Sequence, residues 1–365
     1  MKQKGLTIDL KTVVLLVILV NVPFWVLAFF TLDQTRNVLD NERAADFRAI
    51  ARRNAQTINY GVNHLVMETG TLSIHASLQD SVRRQNETYV GTDDAIRKKI
   101  LDTEKMWLTP QANTMVSNIL SSPASRYLRR FKEVNPGFKR ITVTDRFGGV
   151  AAATAKTIDF DQADETWWQQ AFKDGIVGGV VIEDVTFDPL TKLNALHIVV
   201  PIQEEGKDLV IGVVGALVDI SDLFPLAAGV KIGATGETLL VKDDGTILAG
   251  DEVGIQPAVK LPYMDDIKDA LQTNSKPDYI TAFIPGGKKK VVAYVDSGLA
   301  TTYPNLKWWA VVAQDDSEAN AAIDTMTRKL LWAAMVVLIM ITGLALYFSV
   351  HRRLPYTDLR QTEGE

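Results

Sequence analysis

The sequence predicts an α+β fold: a long N-terminal helix that leads into two antiparallel-sheet subdomains, with an apolar helix at each end. Three observations predict it. Charge-free apolar runs occupy Thr12 to Leu32 and Leu330 to Val350. Between them, Phe47, Ile50, Ala51, Ile58, Val62 and Leu65 recur at helical spacing. From Phe138 onward the apolar period falls to two, the spacing of half-buried strands.

Each apolar run has the length of about 20 residues that a helix needs to cross a bilayer. Asn21 and Pro23 interrupt the first, which a membrane helix tolerates. Lys2, Lys4 and Lys11 give it the basic flank of a signal peptide, but the run is too long for an h-region and no A-x-A site follows. An uncleaved anchor is expected. Arg328 and Lys329 precede the second run, and His351, Arg352 and Arg353 follow it. The positive-inside rule, applied to Lys2, Lys4, Lys11, Arg352, Arg353 and Arg360, places both termini in the cytoplasm; Arg328 and Lys329 argue weakly the other way. Trp25 falls nearer mid-span than Trp332, which is better placed to seat its helix at an interface. The expected organisation is a cytoplasmic N-terminus (1–11), a first span (12–32), a periplasmic or extracellular block (33–328), a second span (330–350) and a short cytoplasmic tail (351–365).

The 365 residues include no cysteine, which excludes a disulfide scaffold, thiol catalysis and thiolate metal sites. The net charge of -5 is spread along the chain and offers no basic surface for nucleic acid. His64, His75, His197 and His351 lack ligand spacing and read as structural. No P-loop, nucleophile elbow or zinc motif occurs, so neither an enzyme nor a cofactor is expected.

In the outer block, Asp33 to Leu65 reads as one helix, with more helix from Ile100 to Leu120. Polar Arg83 to Asp94 reads as a loop, and Asn86-Glu87-Thr88 as a chance match to a glycosylation acceptor. Ile141, Val143 and Val150 flank Asp145-Arg146-Phe147-Gly148-Gly149, a turn between strands. Strands follow at Gly179–Glu183, Ala195–Ile202 and Leu209–Val218, and Leu223-Phe224-Pro225 ends the first sheet. A second block starts near Gly229. Its strand–turn–strand unit around Asp243-Asp244-Gly245 echoes the Asp145 turn, which predicts two related subdomains. Lys288–Val295 and Trp308–Ala313 supply further strands, with Trp308 and Trp309 in the core. Gly286-Gly287-Lys288-Lys289-Lys290 reads as a solvated hairpin tip, and Asp315 to Lys329 as a polar helix. Asp145 and Asp244 are expected to fix their turns.

Three passages then carry a resemblance. They are Ile141–Thr154 with its Asp-x-x-Gly turn; Trp167-Trp168-Gln169-Gln170-Ala171 followed by Asp184–Pro201; and Gly233-Ala234-Thr235-Gly236-Glu237-Thr238 followed by Leu239–Ile247. In this order they resemble the double Cache (tandem PAS-like) extracytoplasmic sensor domains of bacterial chemoreceptors and sensor kinases, over about 33–328. The resemblance implies PAS-like sheets in a distal subdomain (about 66–226) and a proximal one (about 227–315). It further implies a bacterial inner-membrane protein, small-molecule sensing by the distal subdomain, a homodimer, and a helix shift that carries the signal, with a role such as chemotaxis.

In the amino-acid-binding members of that family, an arginine two residues before an aromatic pair clamps the ligand carboxylate. Here Trp167 and Trp168 stand at the pair, but Glu165 stands at the arginine and Thr186 at a later tyrosine; Asp188 and Asp219 match two acidic positions. Without a guanidinium there, carboxylates beside indole faces favour an amine or other cation. Another small molecule, or no ligand, remains open. Residues 351–365 are too few to fold as an output module. Signalling is therefore expected to pass through a cytoplasmic or membrane partner in trans. The alternatives are a non-signalling accessory protein that uses the fold for complex assembly, and a chain cut before its output domain.

Overall fold

The computed structural model describes residues 10–175, 179–188, 193–220, 232–250, 259–273 and 278–351. The charged flanks Lys2, Lys4, Arg352, Arg353 and Arg360, the Leu223-Phe224-Pro225 boundary and Gly229 lie outside them. The chain divides into two compact units, one formed by the stretches up to Asp46 and from Asp316, the other by Phe47–Asp315.

The first unit is helical. It contains the start of α1 (Leu10–Ser73) and all of α8 (Asp316–His351). Both helices are long and apolar enough to cross a membrane by length and composition. Large apolar side chains of their apolar stretches, among them Leu15, Phe29, Phe30, Trp332 and Ile339, are exposed. Two polar side chains within the apolar stretch of α1 are satisfied locally: Asn21 donates to the Val17 carbonyl (2.7 Å) and Thr31 to that of Leu27 (2.8 Å). Arg43 hydrogen-bonds the Asn320 side chain, and Arg36 lies 3.6 Å from Asp324.

The second unit is α+β. The apolar stripe of α1, Ala55, Ile58, Val62, Val66 and Leu72, is buried in one core with α2 (Ala76–Glu87) and α5 (Pro123–Val134). α1 continues past Leu65 to Ser73, unbroken at Gly61 or Gly70. The expected loop at Arg83–Asp94 is shorter, confined to Thr88–Thr92, because α2 runs to Glu87 and the next helix begins at Asp93. The polarity of α2 hides Leu78 and Val82, one turn apart and fully buried. Asn86 donates to the Ile211 carbonyl (2.8 Å) and accepts from the Arg146 amide (3.0 Å), which leaves its amide engaged in the fold. α3 (Asp93–Trp107) and α4 (Asn113–Leu120) cover the adjoining edge.

Two five-stranded antiparallel sheets follow, with one topology used twice. The distal sheet is ordered β2 (Val150–Ala153), β1 (Phe138–Asp145), β5 (Val210–Asp219), β4 (Leu193–Gln203), β3 (Val181–Asp188). The proximal sheet is ordered β7 (Ile247–Gly250), β6 (Glu237–Lys242), β10 (Trp308–Asp315), β9 (Lys288–Asp296), β8 (Tyr279–Ile284). The repetition extends to turn geometry. The Asp145 amide donates to the Gly149 carbonyl (2.9 Å) and the Lys242 amide to that of Thr246 (2.8 Å), so Asp145 corresponds to Lys242, and Asp244 to Phe147. The carboxylates serve the same backbone turn from different positions: Asp145 accepts the amides of Phe147 (2.7 Å) and Gly149 (3.1 Å), and Asp244 accepts that of Thr246 (2.9 Å). Gly148 (φ 89°) and Gly245 (φ 85°) occupy matching left-handed positions. A Cβ on Gly148 would lie 2.5 Å from the Ala163 backbone nitrogen, so no other residue fits. In each repeat the glycine carbonyl then receives an amide from the returning chain, Gln162 in one (2.9 Å) and Leu261 in the other (2.8 Å).

The two turn carboxylates, at different positions of the turn, also differ in burial. Asp244 is exposed, and its bond to Lys260 holds its carboxyl well below the usual range. Asp145 is buried, and burial pushes its carboxyl up to about 6 in spite of the Phe147, Tyr89 and Gly149 hydrogen bonds. The folded chain therefore holds this proton more tightly than the unfolded chain, whose value is 3.8. Stability from this group is present below that value and is lost as pH rises through about 6. We expect the difference in unfolding free energy between the full-length chain and Asp145→Asn, read from denaturant titrations, to shift between about pH 4 and about pH 6 by on the order of 2–3 kcal/mol, and to be flat above. A difference that does not change with pH would contradict the assignment.

Candidate ligand-binding site

The alternation of β5 assigns the two faces of the distal sheet. Val214, Ala216 and Val218 enter the helical core, as do Ile141 and Val143 of β1 and Leu196 and Ile198 of β4. Residues of the opposite parity face the other way. Strand register lines up Arg140, Leu217, His197 and Glu183 as one row across β1, β5, β4 and β3. Thr142, Gly215 and Val199 form the next row.

Over this face stands the short helix α6 (Thr166–Phe172), preceded by the segment that returns from β2. Between them is a cavity of about 240 Å³. The sheet contributes Arg140, Thr142, Leu217, Gly215, His197, Glu183, Thr186 and Asp188. The returning segment and α6 contribute Thr157, Ile158, Asp159, Gln162, Glu165 and Trp167. Its size is slightly below the roughly 300–1,000 Å³ of drug-sized ligand sites, which suits a small metabolite. Gly215 is the floor. A Cβ there would lie 2.9 Å from His197 Nε2 and 3.6 Å from Trp167 Cζ3, so its missing side chain is what lets the two rings meet, centroids 5.0 Å apart and edge to face.

Four of the six residues named from sequence line this cavity: Glu165, Trp167, Thr186 and Asp188. The other two do not. Adjacent residues on a helix project about 100° apart, and Trp168 turns away. Its indole N–H donates to Thr144 Oγ1 (2.9 Å) and its ring stacks on Phe172 (4.6 Å). Asp219 shares the sheet face one row beyond Leu217, but its carboxylate lies 3.5 Å from Lys139 Nζ.

Sequence reading missed Arg140, Asp159, Gln162, Glu183 and His197. A guanidinium is present after all, from β1 instead of α6, and it donates to Asp188 (3.1 Å). His197, expected to be a scattered structural histidine, contacts Glu183 through Nδ1 (2.8 Å). Alternation along each strand was the trace of both: Arg140 and His197 are of opposite parity to the core residues Ile141 and Ile198 beside them. Among the described residues no cluster of His, Asp or Glu suits a metal ion.

The electrostatics are lopsided. Asp159, Glu165, Glu183 and Asp188 stand against Arg140 and His197. Desolvation raises the Glu165 carboxyl above its ordinary value, with added repulsion from Asp159, Asp164 and Glu183 and partial relief from His197. Desolvation likewise raises Asp159, against the hydrogen bond from Gln162. Both groups hold negative charge at a cost that a bound cation would relieve. On the matching face of the proximal sheet, Leu261, Tyr263, Met264 and Ile267, at and just before α7 (Met264–Thr273), are buried in an apolar cluster.

A steric test of the floor follows. Gly215→Ala should cost about 1–3 kcal/mol of stability by overpacking. The penalty should shrink when His197→Ala removes the opposing ring, read as non-additive thermal midpoints in a double-mutant cycle. Additive effects would place His197 elsewhere.

No family model matches the chain, and no curated protein does. Solved structures do. The ligand-binding domain of the Campylobacter jejuni chemoreceptor Tlp3 in complex with L-norvaline superposes with a TM-score of 0.51 at 14% identity, covering 78% of this chain and 94% of that one. The sensory domain of the same receptor gives 0.51 at 13% identity, covering 79% and 99%. Its complex with L-valine gives 0.50 at 14%, covering 78% and 98%. At these identities the likeness establishes the fold: a long N-terminal helix and two antiparallel five-stranded sheets, as in Cache-type sensory domains of chemoreceptors.

Proposed function

We propose that this chain is a membrane-anchored extracytoplasmic sensor of a small cationic ligand, which binds in the distal cleft and signals through an associated protein. The observation that carries the reading is the charge of the cleft. Glu165 and Asp159 pair with no cation among the described residues, both carboxyls are raised, and the nearly buried Trp167 offers an indole beside them. An ammonium group there would gain ion pairing and a cation–π contact of about 1–2 kcal/mol when desolvated. Thr186 and Asp188 are assigned to the same site, and Trp168 and Asp219 to its support. The fold shared with chemoreceptor sensory domains, some of them solved with amino acids bound, supports small-molecule sensing as the class of function.

The binding test uses the full-length chain in detergent. A panel of primary amines, diamines and quaternary amines should raise the thermal midpoint where organic acids do not. Trp167→Ala and Glu165→Gln should each abolish the effect. Affinity should fall as pH is lowered, and at a higher pH than ordinary carboxyls would cause, because the two raised carboxyls take up protons first and neutralise the site. Binding of an organic acid that Trp167→Ala leaves intact would overturn the cationic assignment.

The membrane arrangement is part of the proposal: spans at 12–32 and 330–350, the block 33–328 in the periplasm, both termini cytoplasmic, in a bacterial inner membrane. It is supported by the exposed apolar surface of α1 and α8, which water would penalise and acyl chains would not. The cysteine-free sequence makes the test direct. A single cysteine at Ser77 should react with a membrane-impermeant maleimide in intact spheroplasts, and one at Gln3 should react only after lysis. The reverse pattern would invert the topology.

A further inference from the structure

Strand β3 is the outer edge of the distal sheet, and its register slips between Glu183 and Thr186. Asp184 and Val185 together oppose the single residue Leu196, which is a β-bulge. Bulges re-aim side chains, and this one separates two sets. Glu183, Thr186 and Asp188 line the cleft. Ile182 and Val185 enter the apolar cluster that also contains Leu240, Leu306 and Trp308 of the proximal subdomain. Asp184 accepts the indole N–H of Trp308 (2.9 Å) and pairs with Lys242 Nζ (2.8 Å).

The edge of β3 is held from the same side. Lys242 Nζ donates to the Val185 carbonyl (3.0 Å), and Asn305 Nδ2 to that of Ile182 (3.2 Å). An exposed sheet edge leaves backbone groups without partners; here proximal side chains take up part of that role. Trp308 is fully buried and Lys242 largely so, which places these bonds where water competes least. Lys242 is also the last residue of β6, paired with Trp308 in the register of the proximal sheet.

We propose that the bulged segment Ile182–Val185 is a latch that links the cleft to the proximal sheet, with Lys242 as its central positioning residue. The inference rests on the cleft being the functional site. One strand presents Glu183 to the cleft and, one residue later, Asp184 to Lys242 and Trp308. A ligand that draws on Glu183 or Asp188 changes the strand to which the proximal sheet is clipped. Linkage is reciprocal, so a change at Lys242 returns to the cleft by the same route.

The test needs no ligand, so its failure is distinct from a failure to find a cationic one. Backbone hydrogen exchange is measured on the full-length chain in nanodiscs. Glu183→Gln removes the charge facing His197, and should alter protection both in β3–β4 and in the proximal strands β6 and β10. In a Lys242→Met background the same change should stay within the distal sheet. Lys242→Arg, which keeps a donor in reach of Asp184, should restore the proximal response. If Lys242→Met fails to fold, Asp184→Asn, which keeps the acceptor for Trp308 and removes the charge, should give the same confinement. A proximal response of equal size with and without Lys242, or a Glu183→Gln effect that never leaves the distal sheet in the parent chain, would overturn the latch.

Discussion

Strand β5 lies at the centre of the distal sheet, bonded to β1 on one side and β4 on the other, and its alternation divides the subdomain in two. One parity is committed to the helical core through Val214, Ala216 and Val218. The other is then obliged to face the returning segment and α6. A slip of one residue would put every core side chain into the cleft, so burial on one face pins the register of the other. The row from Arg140 to Glu183 is a consequence of that constraint. No local motif brings those four residues together, because they come from four strands.

The two subdomains show how one topology can yield a cleft in one copy and a filled core in the other. Strand order, the backbone turn, the left-handed glycine and the returning bridge are all repeated. What differs is the helix that covers the sheet. Around α7, Tyr263, Met264 and Ile267 are sent inward to fill the space. At α6, Trp167 and Trp168 are adjacent, so only one of them can lie over the cleft, and the floor beneath it is a glycine. The cleft is thus the result of a glycine below and a short helix above, and its acidity comes from the segment leading into that helix and from β3.

Much of the fold was legible in the residues. The helical stripe from Phe47, the period-two strands and the paired Asp turns all lie where local spacing places them, because backbone geometry and one-sided burial leave a direct trace. The misses have physical causes. α2 looked polar because only Leu78 and Val82 carry its burial. α6, α7 and β8 went unread, being short segments; α5 went unread although Leu128 and its apolar neighbours recur at helical spacing. Among the site residues, Glu165, Trp167, Thr186 and Asp188 were found by resemblance and do share the cavity. Arg140 and His197 were passed over, because their meaning depends on which strands lie side by side.

By itself the sequence determined the alternation of each strand, the apolar runs at both ends, the turn chemistry and the absence of thiol chemistry. These follow from properties that residues carry wherever they are placed. Tertiary structure alone decided that a guanidinium enters an acidic cleft from β1, that the two tryptophans part company, and that Asp184 reaches Lys242 while its neighbour Glu183 faces the site. Those outcomes depend on strand order, register and a single bulge, and such relations between distant segments have no spacing along the chain from which to read them.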